Sequence, residues 1–156
     1  MYEFKDTAEK TKKSMKKLCS QNTSIEVILR KLLWEKGYRY RKNYNKLPGK
    51  PDIVLTKYKI AIFCDGEFFH GKDWEYKKLK LAQGNNGDYW VAKISRNRER
   101  DEKVNNKLFY DGWNVIRFWG NDIKNKPEEC IKVIEDVIFE MKLNDDKIEE
   151  MDISTE

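Results

Sequence analysis

Two aspartates border short apolar runs: Asp52 in Pro51-Asp52-Ile53-Val54-Leu55, and Asp65 closing Lys59-Ile60-Ala61-Ile62-Phe63-Cys64-Asp65-Gly66. Such runs read as buried strands, so each carboxylate must meet a cation or strong donors, or else take up a proton. Mg²⁺ is held by a few carboxylate or carbonyl oxygens with water, a set that two adjacent strand ends can supply. Both positions also suit plain turns, Asp52 after Pro51 and Asp65 before Gly66. At this point both readings stand.

The elements that must position these acids are limited by length and composition. A chain of 156 residues makes one compact domain with a core and is too short for two ordinary ones. At 39% hydrophobic, 38% charged and 13% aromatic it is too aromatic for a disordered chain and too polar for a membrane span. No stretch resembles a signal peptide, and Cys19, Cys64 and Cys130 are odd in number and far apart, as reduced thiols of a cytoplasmic protein are. With one histidine, four nitrogen or sulfur ligands assemble only if every candidate is used, so no structural zinc is expected.

Net charge is +5 and the pI about 8.9, too mild an excess to identify a nucleic-acid protein. Its distribution says more: residues 1–50 carry 14 Lys/Arg against 5 Asp/Glu, whereas residues 128–156 carry 3 against 11. Thr11-Lys12-Lys13-Ser14-Met15-Lys16-Lys17 and Lys93-Ile94-Ser95-Arg96-Asn97-Arg98-Glu99-Arg100 are candidate phosphate contacts, because Lys and Arg release counterions on neutralising phosphates. A solvated helix face accounts for either stretch as well. No apolar periodicity remains after Leu143. Residues 1–143 are therefore expected to form the domain, with 1–20 a basic arm, and 144–156 a disordered acidic tail.

Asp6 to Leu18 reads as a basic helical arm, and Asn22 to Gly37 as an amphipathic helix with Ile25, Ile28, Leu29, Leu32 and Leu33 on one face, capped by Asn22 or Thr23. Strands follow at 38–44, 52–57 and 59–65, the last two joined by a tight turn near Thr56-Lys57-Tyr58-Lys59. Glu67 to Asp88 reads as a loop-rich insertion, Asp88 as the cap of a helix reaching Tyr110, and Asp111-Gly112 as its end. A strand over Trp113–Trp119 and a helix from Pro127 to Lys142 complete the order α-α-β-β-β-α-β-α. The fold class is α/β: a mixed central sheet flanked by helices.

Glu26 on the second helix, Pro51-Asp52, the strand ending in Asp65-Gly66 and the following α-β-α resemble the PD-(D/E)xK, restriction-endonuclease-like nuclease core. One branch matches in order. Thr23-Ser24-Ile25-Glu26, Leu47-Pro48-Gly49-Lys50-Pro51-Asp52, Ile62-Phe63-Cys64-Asp65-Gly66-Glu67-Phe68-Phe69-His70-Gly71 and Tyr89-Trp90-Val91-Ala92-Lys93-Ile94 resemble the very short patch repair (Vsr) DNA mismatch endonucleases. Asn97-Arg98-Glu99-Arg100-Asp101, Asp111-Gly112-Trp113-Asn114-Val115 and Phe118-Trp119 extend the likeness over roughly residues 8 to 140.

The resemblance implies a monomeric, Mg²⁺-dependent phosphodiesterase that nicks one strand of duplex DNA at a T·G mismatch. Asp52 falls at the metal-binding aspartate, Cys64 where a backbone carbonyl reaches the metal, and Asp65 at a position, histidine in some members, that binds metal or places the attacking water. His70 matches the catalytic histidine; without its flanks it reads as an ordinary loop residue. Glu26 is expected to act through water or electrostatics, and alone reads as a first-turn helix acid. Lys93 or Arg96 is expected to stabilise the phosphate's added charge. Phe68, Phe69 and Trp90 match intercalating rings, for which a mismatch is the least costly site, although three aromatics beside a strand end commonly belong to a core. The family's zinc ligands fall here on Glu67, Lys72, Trp74 and Asn121, so the loop after Glu67 is expected to be packed through Trp74 and Tyr76 instead. Two further readings are a related nuclease without mismatch dependence, linked to a restriction-modification system, and a DNA-binding module with a decayed site. Mismatch-repair proteins are a further class of partner.

Overall fold

Ile25, Ile28, Leu29, Leu32 and Leu33 recur at helical spacing, and α1 (Ser24–Glu35) buries Leu29 and Leu33 completely along that stripe. It stops at Gly37, whose φ of +88° lets the Gly37 and Tyr38 amides turn back onto the Trp34 and Leu33 carbonyls. The structure, a computed structural model, describes residues 24–154, so the expected arm helix, with Lys12, Lys13 and Met15, and the caps Asn22 and Thr23 lie outside the described residues.

Beyond Gly37 the chain forms β1 (Arg41–Lys42), β2 (Ile53–Leu55) and β3 (Ile60–Asp65). The first two strands are shorter than expected. Asn43 adopts a left-handed φ of 47° that ends β1, and β2 gives way to a 3-10 turn over Thr56–Tyr58 closed by left-handed Lys59. Next come α2 (Trp74–Ala82), α3 (Gly87–Tyr110), β4 (Asn114–Trp119), α4 (Gly120–Asn125) and α5 (Pro127–Ile153).

The four strands form one mixed sheet in the order β1-β2-β3-β4, with β3 antiparallel to β2 and parallel to β4. Successive residues of β3 serve opposite faces. Ile60 and Ile62 join Leu29 and Leu33 of α1, Ile123 of α4 and Ile131, Ile134 and Ile138 of α5 in the main core. Ala61 and Phe63 join Leu108 of α3 in a smaller one. A strand buried on both faces must be apolar along its length, which is why this run ends in charge only at Asp65.

Two helices were not expected. Helix α2 lies inside the supposed loop-rich insertion and buries only Trp74, so it presents no apolar stripe. Helix α4 is a six-residue link between β4 and α5, below the length at which periodicity is legible. Asp88 sits within the first turn of α3, whose N-cap is Asn86. Helix α5 begins at Pro127 as expected but runs past Lys142 to Ile153, so the acidic end is helical through that residue, and every described position beyond Met141 is exposed.

Removal of residues 145–156 should therefore leave the unfolding free energy within about 0.5 kcal/mol of the parent. Ile138→Ala, in the buried part of the same helix, should cost about 2–5 kcal/mol in a urea titration.

Candidate active site

The carboxylate of Asp52, just ahead of β2, accepts the Cys64 amide at 2.7 Å, while the Asp52 carbonyl accepts the Asn43 amide at 2.9 Å. Glu26, in the first turn of α1, is buried and hydrogen-bonded to the Asp52 side chain. Two carboxyls share such a bond only when one holds a proton. Burial, with the charges of Glu26 and Asp65, accordingly pushes Asp52 up to about 7 against the lowering effect of the Cys64 amide. Burial, with Asp52 close by, also drives the Cys64 thiol well above its ordinary value, leaving an inert side chain that packs on the main core.

Asp65, the next residue on β3, lies in a different setting. Both its oxygens accept from Arg117 on β4, each at 3.1 Å, and His70 Nδ1 is 3.7 Å away. The Arg117 guanidinium is fixed in turn: Nε donates to Asn105 at 2.7 Å, and the group stacks 4.0 Å above the Phe63 ring. Burial raises the Asp65 pKa, an effect that His70 and Arg117 offset only in part.

His70 Nδ1 lies 2.6 Å from Asp101 Oδ2 on α3. Burial opposes ionisation of Asp101 but is outweighed by His70, Arg117 and Arg100, so its pKa is lowered. Against an ionised carboxylate Nδ1 must be the donor, which leaves Nε2 to exchange protons. Burial likewise opposes the charged imidazole, and is outweighed by Asp101 and Asp65, so the His70 pKa is raised.

The segment between β3 and α2 carries the aromatics. Phe68 stands 5.3 Å from Phe69 and 5.4 Å from Trp90 at the start of α3, and Tyr89 stacks edge-on to Trp90 at 5.2 Å. Phe68 and Tyr89 are about half exposed, and Lys93 Nζ lies 5.4 Å over the Trp90 ring. These rings come together at the surface, outside both core clusters. From α3, Asn97 donates to the Phe69 carbonyl at 3.0 Å and Arg98 to that of Gly71 at 2.9 Å. Gly71 has a φ of +65°, and a Cβ there would lie 2.9 Å from Ile94 and Arg98 atoms. Trp90, Ile94, Asn97, Asp101 and Asn105 form one stripe of α3 on which the loop rests. Between this loop, α3 and β4 is a groove of about 890 Å³ lined by Asp65, His70, Trp74, Asp101 and Arg117.

The family model of DNA mismatch endonuclease Vsr matches residues 5–76. Over 135 residues, 86% of this chain and 94% of the relative, the sequence is 45% identical to the Type II nicking enzyme V.HpaIIP of Haemophilus parainfluenzae. This chain belongs to the Vsr endonuclease family. It is 43% identical over 132 residues to V.NmeDIP, a Type II nicking enzyme of Neisseria meningitidis serogroup C, covering 85% of this chain and 88% of that one. To the DNA mismatch endonuclease Vsr of Escherichia coli it is 32% identical over 119 residues, 76% of this chain and 74% of that one. The protein is thus a DNA endonuclease with a restriction-endonuclease-like fold.

Asp52 and Glu26 come together, and Asp65, expected to bind metal or place the attacking water, has both oxygens on Arg117. Among the described residues no three His, Cys, Asp or Glu side chains converge as a metal cluster. The partly buried Asp52 carboxyl, pushed up to about 7 chiefly by burial, with the buried Glu26 against it, suits a hard divalent cation that retains its own water. Lys93 lies over the rings, and Arg96 is exposed on α3. Of the two residues expected to pack the loop, Trp74 is 7% exposed and does so, but Tyr76 is 86% exposed and does not. Glutamate, lysine, tryptophan and asparagine at the four aligned positions do not suit zinc. Sequence reasoning did not single out Arg117 and, although Tyr89, Asn97 and Asp101 fall in the matching segments, it gave them no role. A usable signal lay in the spacing of Asn97, Asp101 and Asn105, polar residues on the Ile94 side of a long helix.

His70 is the chain's one histidine, so its imidazole resonances are unambiguous. NMR titration should place its midpoint above the ordinary histidine value, and Asp101→Asn should lower it. Because the folded pKa is raised, this pair stabilises the fold fully below the unfolded histidine pKa and loses that contribution as pH climbs through the folded one. Asp52, whose folded pKa is also raised, acts in the same direction at lower pH. Between the ordinary carboxylate value and about 7 the metal-free folded protein holds more protons than the unfolded chain, so stability should fall as pH rises. Urea midpoints from pH 4 to 8 should show that slope, and Asp52→Asn should flatten it.

Proposed function

We propose that this Vsr-family endonuclease nicks one strand of duplex DNA at a T·G mismatch, using Mg²⁺ held by Asp52 and Glu26 with the Cys64 backbone alongside. The observation that carries the reading is that one loop bears both His70, paired to Asp101, and the half-exposed ring of Phe68 against the partly buried ring of Phe69. Recognition and chemistry are therefore mechanically linked. The relatives named Type II nicking enzymes support single-strand cutting, and the one named DNA mismatch endonuclease Vsr supports the mismatch as target.

In this reading the rings wedge between base steps, where a poorly stacked mismatch yields at the lowest cost. Lys93 beside them places positive charge near the backbone. His70, oriented through Nδ1 by Asp101, presents Nε2 to take or give a proton at the scissile phosphate. Arg117 keeps Asp65 and Asp101 apart from the cation and in register with the imidazole; its NH1 lies 3.6 Å from Asp101 Oδ1. When bound, a divalent ion supplies an activated water and relief of the phosphate's added charge.

A panel of matched and mismatched duplexes in Mg²⁺ tests the reading, with nicking expected at T·G alone or foremost; equal cutting of every duplex would instead indicate a mismatch-independent nuclease. Asp52→Ala should abolish nicking while leaving DNA binding within about threefold, because it removes an anion and no phosphate contact. Phe69→Ala or Trp90→Ala should weaken mismatch binding by about tenfold to a hundredfold and matched binding less.

A further inference from the structure

Glu67 stands between Asp65 and the two phenylalanines, and its side chain has no part in the chemistry described so far. Its Oε1 accepts the backbone amide of Asn121 at 2.6 Å. That amide belongs to the first turn of α4, whose N-cap, Trp119, offers no side-chain acceptor, so a residue of the loop provides what the helix lacks. The approach is close: a Cβ on Gly120 would lie 3.5 Å from Glu67 Oε2 and 3.2 Å from the Ile25 Cδ1 atom. The Glu67 carbonyl meanwhile accepts the Lys72 amide at 2.9 Å, closing the turn that contains Phe68, Phe69 and His70. Lys72 crosses to the same place from the other end of that turn, its Nζ 5.9 Å over the Trp119 ring.

We infer that Glu67 is a positioning residue: its hydrogen bond to Asn121 ties the loop of rings and His70 to the end of β4 and the start of α4, in place of a metal staple. Glu67 and Asn121 are two of the positions aligned with zinc ligands, and here they are joined directly, carboxylate to amide. Helix α3 holds the far side of the loop through Asn97, Arg98 and Asp101. Without the Glu67 contact the near side would keep only the looser Lys72–Trp119 approach, and the rings would shift relative to the β3 end that carries the acids.

Hydrogen exchange on the intact, metal-free protein tests this without relying on the proposed activity. Glu67→Ala should speed exchange of amides 68–72 by about tenfold to a hundredfold, the worth of a hydrogen bond to a charged acceptor, while amides 61–64 of β3 keep their protection. Glu67→Gln retains an oxygen able to accept from Asn121 and should stay within about threefold of the parent, a rescue that a loss of charge alone would not permit. In the nicking assay, which does rest on the proposed function, Glu67→Ala should lower both kcat and the preference for mismatched over matched duplex. The Mg²⁺ concentration for half-maximal rate should not move, since Asp52 and Glu26 are off the loop. Unchanged loop exchange in Glu67→Ala, a Gln variant as impaired as Ala, or stoichiometric zinc in the purified protein would each overturn the inference. Should the parent fail to nick any duplex, the exchange results still decide the role of Glu67.

Discussion

Burying carboxylates at the end of a strand that is apolar on both faces obliges the surrounding chain to supply donors and positive charge. Asp65 is 6% exposed, and almost every polar feature around it answers that requirement. Arg117 meets it from the parallel neighbour β4, two residues before Trp119 in the register that pairs Asp65 with Trp119. The guanidinium is itself held by Asn105 and Phe63, so its geometry is determined before any ligand arrives. His70 and Asp101 then extend the same alternation of charge across to α3. A network satisfied in this way is rigid, and rigidity is what a group that must hand over a proton at a defined place requires.

On the other side of the strand end the compensation is incomplete. Asp52 has one strong donor, the Cys64 amide, and two acidic neighbours. Burial and those neighbours hold its pKa above the ordinary carboxylate range, a penalty that an added cation would relieve. One end of β3 thus divides into a half already charge-balanced and a half that gains from a divalent ion. The difference lies in where each arginine reaches: Arg117 holds both oxygens of Asp65, whereas Arg30 of α1 lies 3.7 Å from Glu26.

Helix α3 joins these halves to the target-facing surface. Its stripe from Trp90 through Ile94, Asn97 and Asp101 to Asn105 gives in succession a ring, a core contact, a loop anchor, the histidine's partner and the arginine's partner. With Glu67 fixing the opposite side, the loop is held between two elements of the domain.

Much of this protein is legible in its sequence. The helical spacing from Ile25 to Leu33, the continuous apolar run ending at Asp65 and the Pro127 start of the last helix are local patterns, and each is realised as read. The ordered motifs around Asp52, Asp65 and His70 also carry the family, because motif order is a property of the chain alone. Helix α2 was hidden because a nine-residue helix that buries only Trp74 has no stripe to show. What only the tertiary structure decided is partnership. Arg117 with Asp65, Asp101 with His70 and Glu67 with Asn121 join residues separated by 52, 31 and 54 positions. No local pattern encodes such pairs: each forms only after β4 has docked beside β3 and α3 has packed across the sheet, and an arginine in a strand or an aspartate on a helix looks solvent-facing until then.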